Sequence, residues 1–165
     1  MDASAAVEDA LESTCALVTA AHPMRFEPRR SLALLLHAGL GGEAPVYVQA
    51  LLEAASFGTV SGTIRAWSPR WLLEVRADKL PARNHDTATA GITTRTFARS
   101  ALRSVVMTSR GWKTDEYQAP GAPPGAVLSL GYDDMEDHVV LGANDWEPDF
   151  TALHRTLLED LTRRP

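Results

Sequence analysis

The sequence predicts an α+β fold: an antiparallel β-sheet of about five strands packed by an N-terminal, a central and a C-terminal helix. Three observations carry that expectation. Residues 60–66 and 71–77 alternate apolar and polar side chains with period two on either side of a Ser68-Pro69-Arg70 turn. Apolar residues recur at helical spacing near both ends of the chain. The chain has 165 residues, 45% of them hydrophobic, with a single Cys, so it can build one core without disulfide staples. The expected organisation is a single α+β domain over residues 1–165.

The elements follow in order. Residues 3–21 read as a helix, because Val7, Ala10, Leu11, Thr14, Leu17 and Val18 recur at i, i+3, i+4, i+7 spacing and acids lie toward the start. His22-Pro23 stops it. The apolar run 31–40, SLALLLHAGL, fits a buried strand or a helix, and the strand is favoured for 31–38. Residues 45–57 stay open, since Val46-Tyr47-Val48 favours a strand and QALLEAA a helix. TVSGTIRAW and WLLEVRAD form the antiparallel hairpin, with Gly62 marking a bulge or a close approach. Residues 80–91 read as a polar loop. Over 93–108, Phe97, Ala98, Ala101, Leu102, Val105 and Val106 fill one half of a helical wheel, with Arg95, Arg99 and Arg103 stacked beside them, so this segment is the expected central helix. The Pro/Gly run 118–125 is a stiff connection. AVLSLGY and DHVVLGA are two strands around an acidic tip, followed by a helix from about Pro148 to 163 with an apolar stripe of Phe150, Leu153, Leu157, Leu158 and Leu161.

This order of elements resembles the α-β-β-β-α-β-β-α of small secretion-chaperone-like domains. The closing strand–strand–helix is similar to the end of a pleckstrin-homology-like barrel. Both likenesses imply an antiparallel sheet covered by helices.

Composition excludes several classes. Fourteen Arg against two Lys, and 25 Ala against two Ile, reflect GC-rich coding and point to a bacterial source. No apolar run is long enough for a membrane-spanning helix, and the acidic N-terminus carries no readable secretory signal, so a cytoplasmic location is expected. Cys15 cannot pair with His22 on one helix, because seven residues of rise separate them by roughly 10 Å. Ser61 in GTVSG is no nucleophile elbow, and the glycines at 39, 41 and 42 lead into no phosphate loop. Asp133, Asp134, Glu136, Asp137 and His138 cluster at the hairpin tip without an EF-hand spacing. His37 reads as a core histidine, and the His85-Asp86 pair as part of a polar loop. No catalytic residue, metal ligand or cofactor is therefore assigned, and the balance leans away from an enzyme. A net charge of −5 and the lack of a recognisable motif disfavour nucleic acid.

The net charge conceals an asymmetry. Residues 65–110 carry +6 and residues 111–165 carry −7. The basic part holds the candidate partner-binding residues: Arg65, Trp67, Arg70 and Trp71 on the hairpin, and Arg95, Arg99 and Arg103 beyond it. Trp and Arg are enriched at binding hot spots. The charges either complement the acidic C-terminal third of the same chain or meet an acidic partner. The function expected is a small acidic cytoplasmic protein-binding domain, chaperone-like, immunity-type or regulatory, with a protein partner or a second copy of itself. The alternative is a small-molecule or lipid-binding domain, or a small enzyme, with a pocket between sheet and helices.

Overall fold

The computed structural model describes residues 12–14, 16–17, 30–55, 58–81, 91–109, 126–133, 135–142 and 148–162. The expected elements at Cys15, at 82–90 and at 118–125 lie outside these residues. The chain divides into two compact units, Met1–Thr96 and Phe97–Pro165. The fold is α+β with antiparallel strand pairing, but it holds two sheets, of four and three strands, where one sheet of about five was expected.

The first unit begins with α1, helical at residues 12–14 and 16–17. Then come α2 (Arg30–Gly39), β1 (Tyr47–Ala54), β2 (Thr59–Trp67), β3 (Trp71–Pro81) and β4 (Gly91–Ala98), with the strands in the order β1-β2-β3-β4. The predicted hairpin is β2–β3. Its register pairs Trp67 with Leu72 and Ile64 with Val75. The register slips between Val60 and Gly62, which places the bulge where Gly62 stands in the sequence. Gly62 has φ +147°, and a Cβ there would lie 2.1 Å from the carbonyl oxygen of Leu51, so no other residue fits without moving β1.

One face of this sheet is apolar. Val48, Ala50 and Leu52 of β1, Val60, Ile64 and Ala66 of β2, and Leu73, Val75, Ala77 and Leu80 of β3 form a single buried cluster with Leu32, Leu36 and Leu40. Those last three explain why 31–40 is helical and not the favoured strand. A strand would put Leu32, Leu34 and Leu36 on one side. The observed segment buries Leu32, Ala33, Leu36 and Leu40 and leaves Leu34 45% exposed, which is a helical face laid on the sheet. Residues 47–54 resolve as a strand, because Val48, Ala50 and Leu52 alternate into the same core.

The second unit holds a 3₁₀ turn (Arg99–Ala101), β5 (Leu102–Ser109), β6 (Ala126–Tyr132), β7 (Val139–Gly142) and α3 (Pro148–Thr162). β5, β6 and β7 run antiparallel in that order. The predicted closing strands and helix are β6, β7 and α3. Phe150, Leu153 and Leu157 of α3 are buried, while Leu158 is exposed. The helix packs on β5 and the 3₁₀ turn.

The expected central helix over 93–108 is overturned. The segment is β4, the 3₁₀ turn and β5. Thr93, Thr94, Thr96, Val105, Val106 and Thr108 are β-branched, and side chains of this kind fit a pleated surface better than a helix. The helical spacing of its apolar residues comes from the turn. Three residues at 99–101 break the two-residue period, so Phe97 and Leu102 fall out of phase and imitate a helical stripe. The secretion-chaperone order, which requires a helix here, fails with it.

Truncations at two neighbouring leucines test the α2 assignment. Leu36→Ala should cost about 2–5 kcal/mol by opening a cavity in the core. Leu34→Ala should stay within about 0.5 kcal/mol, as for an exposed site. Chemical denaturation of both variants measures this, and comparable losses at 34 and 36 would restore the strand.

Candidate functional site

The best-defined polar constellation lies where the end of α2 meets the β2–β3 turn. Gly41 and Gly42 have φ of +65° and +83°, in the left-handed region that glycine enters without steric cost. The Gly42 amide donates to the His37 carbonyl at 2.9 Å, ending the helix. This reversal delivers Glu43 to the hairpin turn. There Ser68 Oγ donates to Glu43 Oε2 at 2.6 Å, the Arg70 amide donates to the same oxygen at 3.1 Å, and Arg70 Nε donates to Glu43 Oε1. Ser68 Oγ in turn accepts the Trp71 amide at 3.1 Å, and the Ser68 amide donates to the Trp71 carbonyl at 2.9 Å. One carboxylate thus fixes the geometry of the turn through charge-assisted bonds. Burial pushes the Glu43 carboxyl upward, but the bonds from Ser68 and Arg70 prevail and hold it below the ordinary glutamate value.

Arg70 and Trp71 are the two predicted site residues brought together here. The Arg70 side chain is 69% exposed, so its terminal amino groups face water while Nε holds Glu43. Trp71 is half-buried: it packs against the apolar cluster, and its indole Nε1 lies 3.4 Å from where a Cβ on Gly41 would stand. Val46, whose amide donates to the Trp67 carbonyl at 2.7 Å, is 48% exposed at the same end of the sheet. Pro69 and Ala44 are exposed as well. Glu43 and Val46 were not singled out from the sequence. The signal that could have found Glu43 is its place directly after Gly41-Gly42, facing a Ser-Pro-Arg turn.

The other predicted residues are placed differently. Trp67 is fully buried, its ring edge-to-face with Tyr47 at 5.6 Å between centroids, so it offers no surface to a partner. Arg65 donates through Nε to Glu74 Oε2 at 3.0 Å and through Nη1 to Gln49 Oε1 at 3.3 Å. Arg76 Nε holds the other Glu74 oxygen at 3.1 Å, so a carboxylate only 1% exposed is matched on both sides. Arg95 is exposed on β4. Arg99 is buried in the 3₁₀ turn and pairs with Asp160 of α3 at 2.6 Å. Arg103 binds the Asp133 carboxylate through Nε and its carbonyl through Nη2 at 2.9 Å. The three arginines are therefore no stripe. Two of them tie the basic segment to the terminal helix and to the acidic hairpin, as internal complementarity requires.

The remaining polar candidates are committed locally. Ser61 Oγ donates to Asp78 Oδ1 at 3.1 Å and accepts the Lys79 amide at 2.9 Å, closing the bulge. His138 Nδ1 meets Ser129 Oγ at 3.0 Å. His37, expected as a core histidine, is half-buried with its Nδ1 unpartnered. Burial lowers the pKa of His154. Among the described residues no three His, Cys, Asp or Glu side chains are grouped to hold a metal ion, and no helix is long and apolar enough to cross a membrane. Cys15, His85 and Asp86 lie outside the described residues.

No protein-family model and no curated protein matches the chain. A solved structure similar to it is a DUF1696 family protein with a pleckstrin-homology domain from Shewanella loihica, at 11% identity and a TM-score of 0.42, over 77% of this chain and 91% of that one.

Two outcomes follow from these pairs. Removing one member of a buried pair strands the other, so Arg99→Ala should cost about 3–5 kcal/mol. Arg103→Ala, at an exposed pair, should cost about 0–1 kcal/mol. Urea denaturation ranks the two, and equal losses would contradict the placement of Arg99. For Glu43 the folded pKa is depressed, so its stabilisation is complete above the ordinary value of 4.5 and drains away as pH falls through the folded value. The stability gap between wild type and Glu43→Gln should therefore be full near about pH 7 and shrink progressively as pH falls below the ordinary value of 4.5. A gap independent of pH would show that the carboxylate charge does not hold the turn.

Proposed function

We propose that this chain is a non-catalytic protein-binding domain that docks its partner on the β2–β3 turn, through Arg70 and Trp71 with Val46 beside them. The observation that carries the proposal is the locked turn. Glu43 and Ser68 satisfy the backbone and polar groups that position Arg70 and Trp71, so little conformational entropy remains to be lost when a partner arrives. Trp and Arg anchors surrounded by apolar side chains are the composition of a binding hot spot. The partner is expected to place an apolar side chain against Trp71 and Val46. It also supplies a hydrogen-bond acceptor, a carboxylate or a backbone carbonyl, to the terminal amino groups of Arg70. A chaperone-like, immunity-type or regulatory role fits such a surface.

The test is affinity capture from a lysate of the source organism. One dominant protein should be retained by wild type and by Arg155→Ala, an exposed α3 control. It should be lost from Arg70→Ala/Trp71→Ala, a pair whose truncation removes at least about 2 kcal/mol if these are hot-spot residues. Retention by the double variant, or no retained protein at all, would overturn the proposal.

A further inference from the structure

β6 is the middle strand of the second sheet, flanked by β5 and β7. Ser129 pairs with Val106 of β5 and with Val140 of β7. Residues opposed across antiparallel strands share a face. The Ser129 hydroxyl therefore stands between two valines, each 50% exposed. His138, exposed just before β7, turns its Nδ1 to this hydroxyl at 3.0 Å. The imidazole lies over Gly131. A Cβ there would be 3.4 Å from His138 Nε2 and 2.7 Å from Ser104 Oγ, so the bare backbone of Gly131 leaves the ring its place. A hydroxyl and an imidazole nitrogen within hydrogen-bond reach are the two parts of an activated nucleophile. The turn at Arg70 uses neither.

We propose that Ser129 is an acyl-acceptor site, which takes the acyl group of an activated ester or thioester with His138 as its base. With the imidazole proton on Nε2, Nδ1 accepts the hydroxyl proton. Ser129 Oγ bonds to the acyl carbon, and the bond from that carbon to the leaving oxygen or sulfur breaks. The leaving group departs with the proton that His138 took up. The products are an O-acyl serine and a free alcohol or thiol. Val106 and Val140 offer apolar surface to a short acyl chain on either side of the oxygen. The reaction stops at that point. An activated donor carries a good leaving group, whereas the serine ester has a poor one. Hydrolysing that ester would need N–H donors aimed at a developing oxyanion. The backbone around Ser129 is committed to ladders on both sides. Ser129 is therefore modified once and not turned over. This inference concerns the second unit and does not depend on the turn as a docking site.

The probe is p-nitrophenyl butyrate, followed by p-nitrophenolate release and by peptide mass mapping. Wild type should release a single equivalent and then stop, with one butyryl group on Ser129. Ser31, exposed on α2, is the internal control and should be acylated at least about tenfold more slowly, since a positioned base accelerates such a step by about 10²–10⁴. His138→Ala should slow the labelling of Ser129 at least about tenfold and leave Ser31 unchanged. Ser129→Ala should lose the adduct. The butyryl ester should react faster than the acetyl ester, and Val106→Thr/Val140→Thr, which keeps the β-branched shape, should abolish that preference. No release, continued release without an adduct, or an adduct on another residue would each overturn the proposal. So would labelling of Ser129 no faster than Ser31, or an unchanged rate in His138→Ala.

Discussion

The first unit is organised by one requirement: the four-stranded sheet has an apolar face that must be kept from water. Ten side chains of β1, β2 and β3 make that face, from Val48 to Leu80. Each buried Val, Leu or Ile among them contributes about 1.5–3 kcal/mol, and each Ala less. An uncovered sheet of this kind would expose a continuous apolar patch of the sort that folded monomers avoid. The cover is the Leu32, Ala33, Leu36 and Leu40 face of α2. Once α2 lies there, its end is fixed at Leu40, the chain must reverse through Gly41 and Gly42, and Glu43 arrives at the β2–β3 turn. The polar site is thus a geometric consequence of covering the sheet.

The opposite face shows how one strand can carry two environments. Tyr47, Trp67 and Leu72 are aligned across β1, β2 and β3 and are buried. One step along the strands, Gln49, Arg65 and Glu74 form the next row, and there burial is compatible with charge because each group finds its complement. Replacing Arg65 would leave the Glu74 carboxylate with Arg76 alone, at 1% exposure. A buried charge loses more from a missing partner than the intact pair gains. Arg65 is therefore held by the needs of Glu74, and the sequence position that suggested a binding residue is occupied by a structural one.

Legibility in the sequence followed the regularity of the local period. β2 and β3 were readable because alternation runs unbroken to a Pro-containing turn, and Gly62 announced the bulge because no side chain fits there. β6, β7 and α3 were readable for the same reason. The run 31–40 was not, because an all-apolar segment has no polar phase to reveal its period. What decides it is the need of a distant sheet face, which no local window contains. Residues 93–108 misled because a three-residue turn joins two strands out of phase. Within the site, Arg70 and Trp71 were visible as turn residues. Trp67 was not separable from them, since alternation places it on the side of Thr63 and Arg65 while its row at the sheet end is buried. Glu43 was invisible because its partners lie 25 and 27 residues away.

The pairing of charges changes what the +6 segment can do. Long-range steering needs net field, and field survives only where charges are unmatched. Arg65 and Arg76 share Glu74, Arg70 has Glu43, Arg99 has Asp160 and Arg103 has Asp133. Three carboxylates from outside the segment, Glu43, Asp160 and Asp133, offset half of its six excess positive charges at short range, so its pull on a distant acidic partner is weaker than +6 suggests. What Arg70 retains is directional: exposed terminal amino groups on a guanidinium held by its own Nε. On the reading proposed above, a partner at this turn would be held by contact, with a rate of association that depends weakly on salt and a lifetime set by the fit around Trp71.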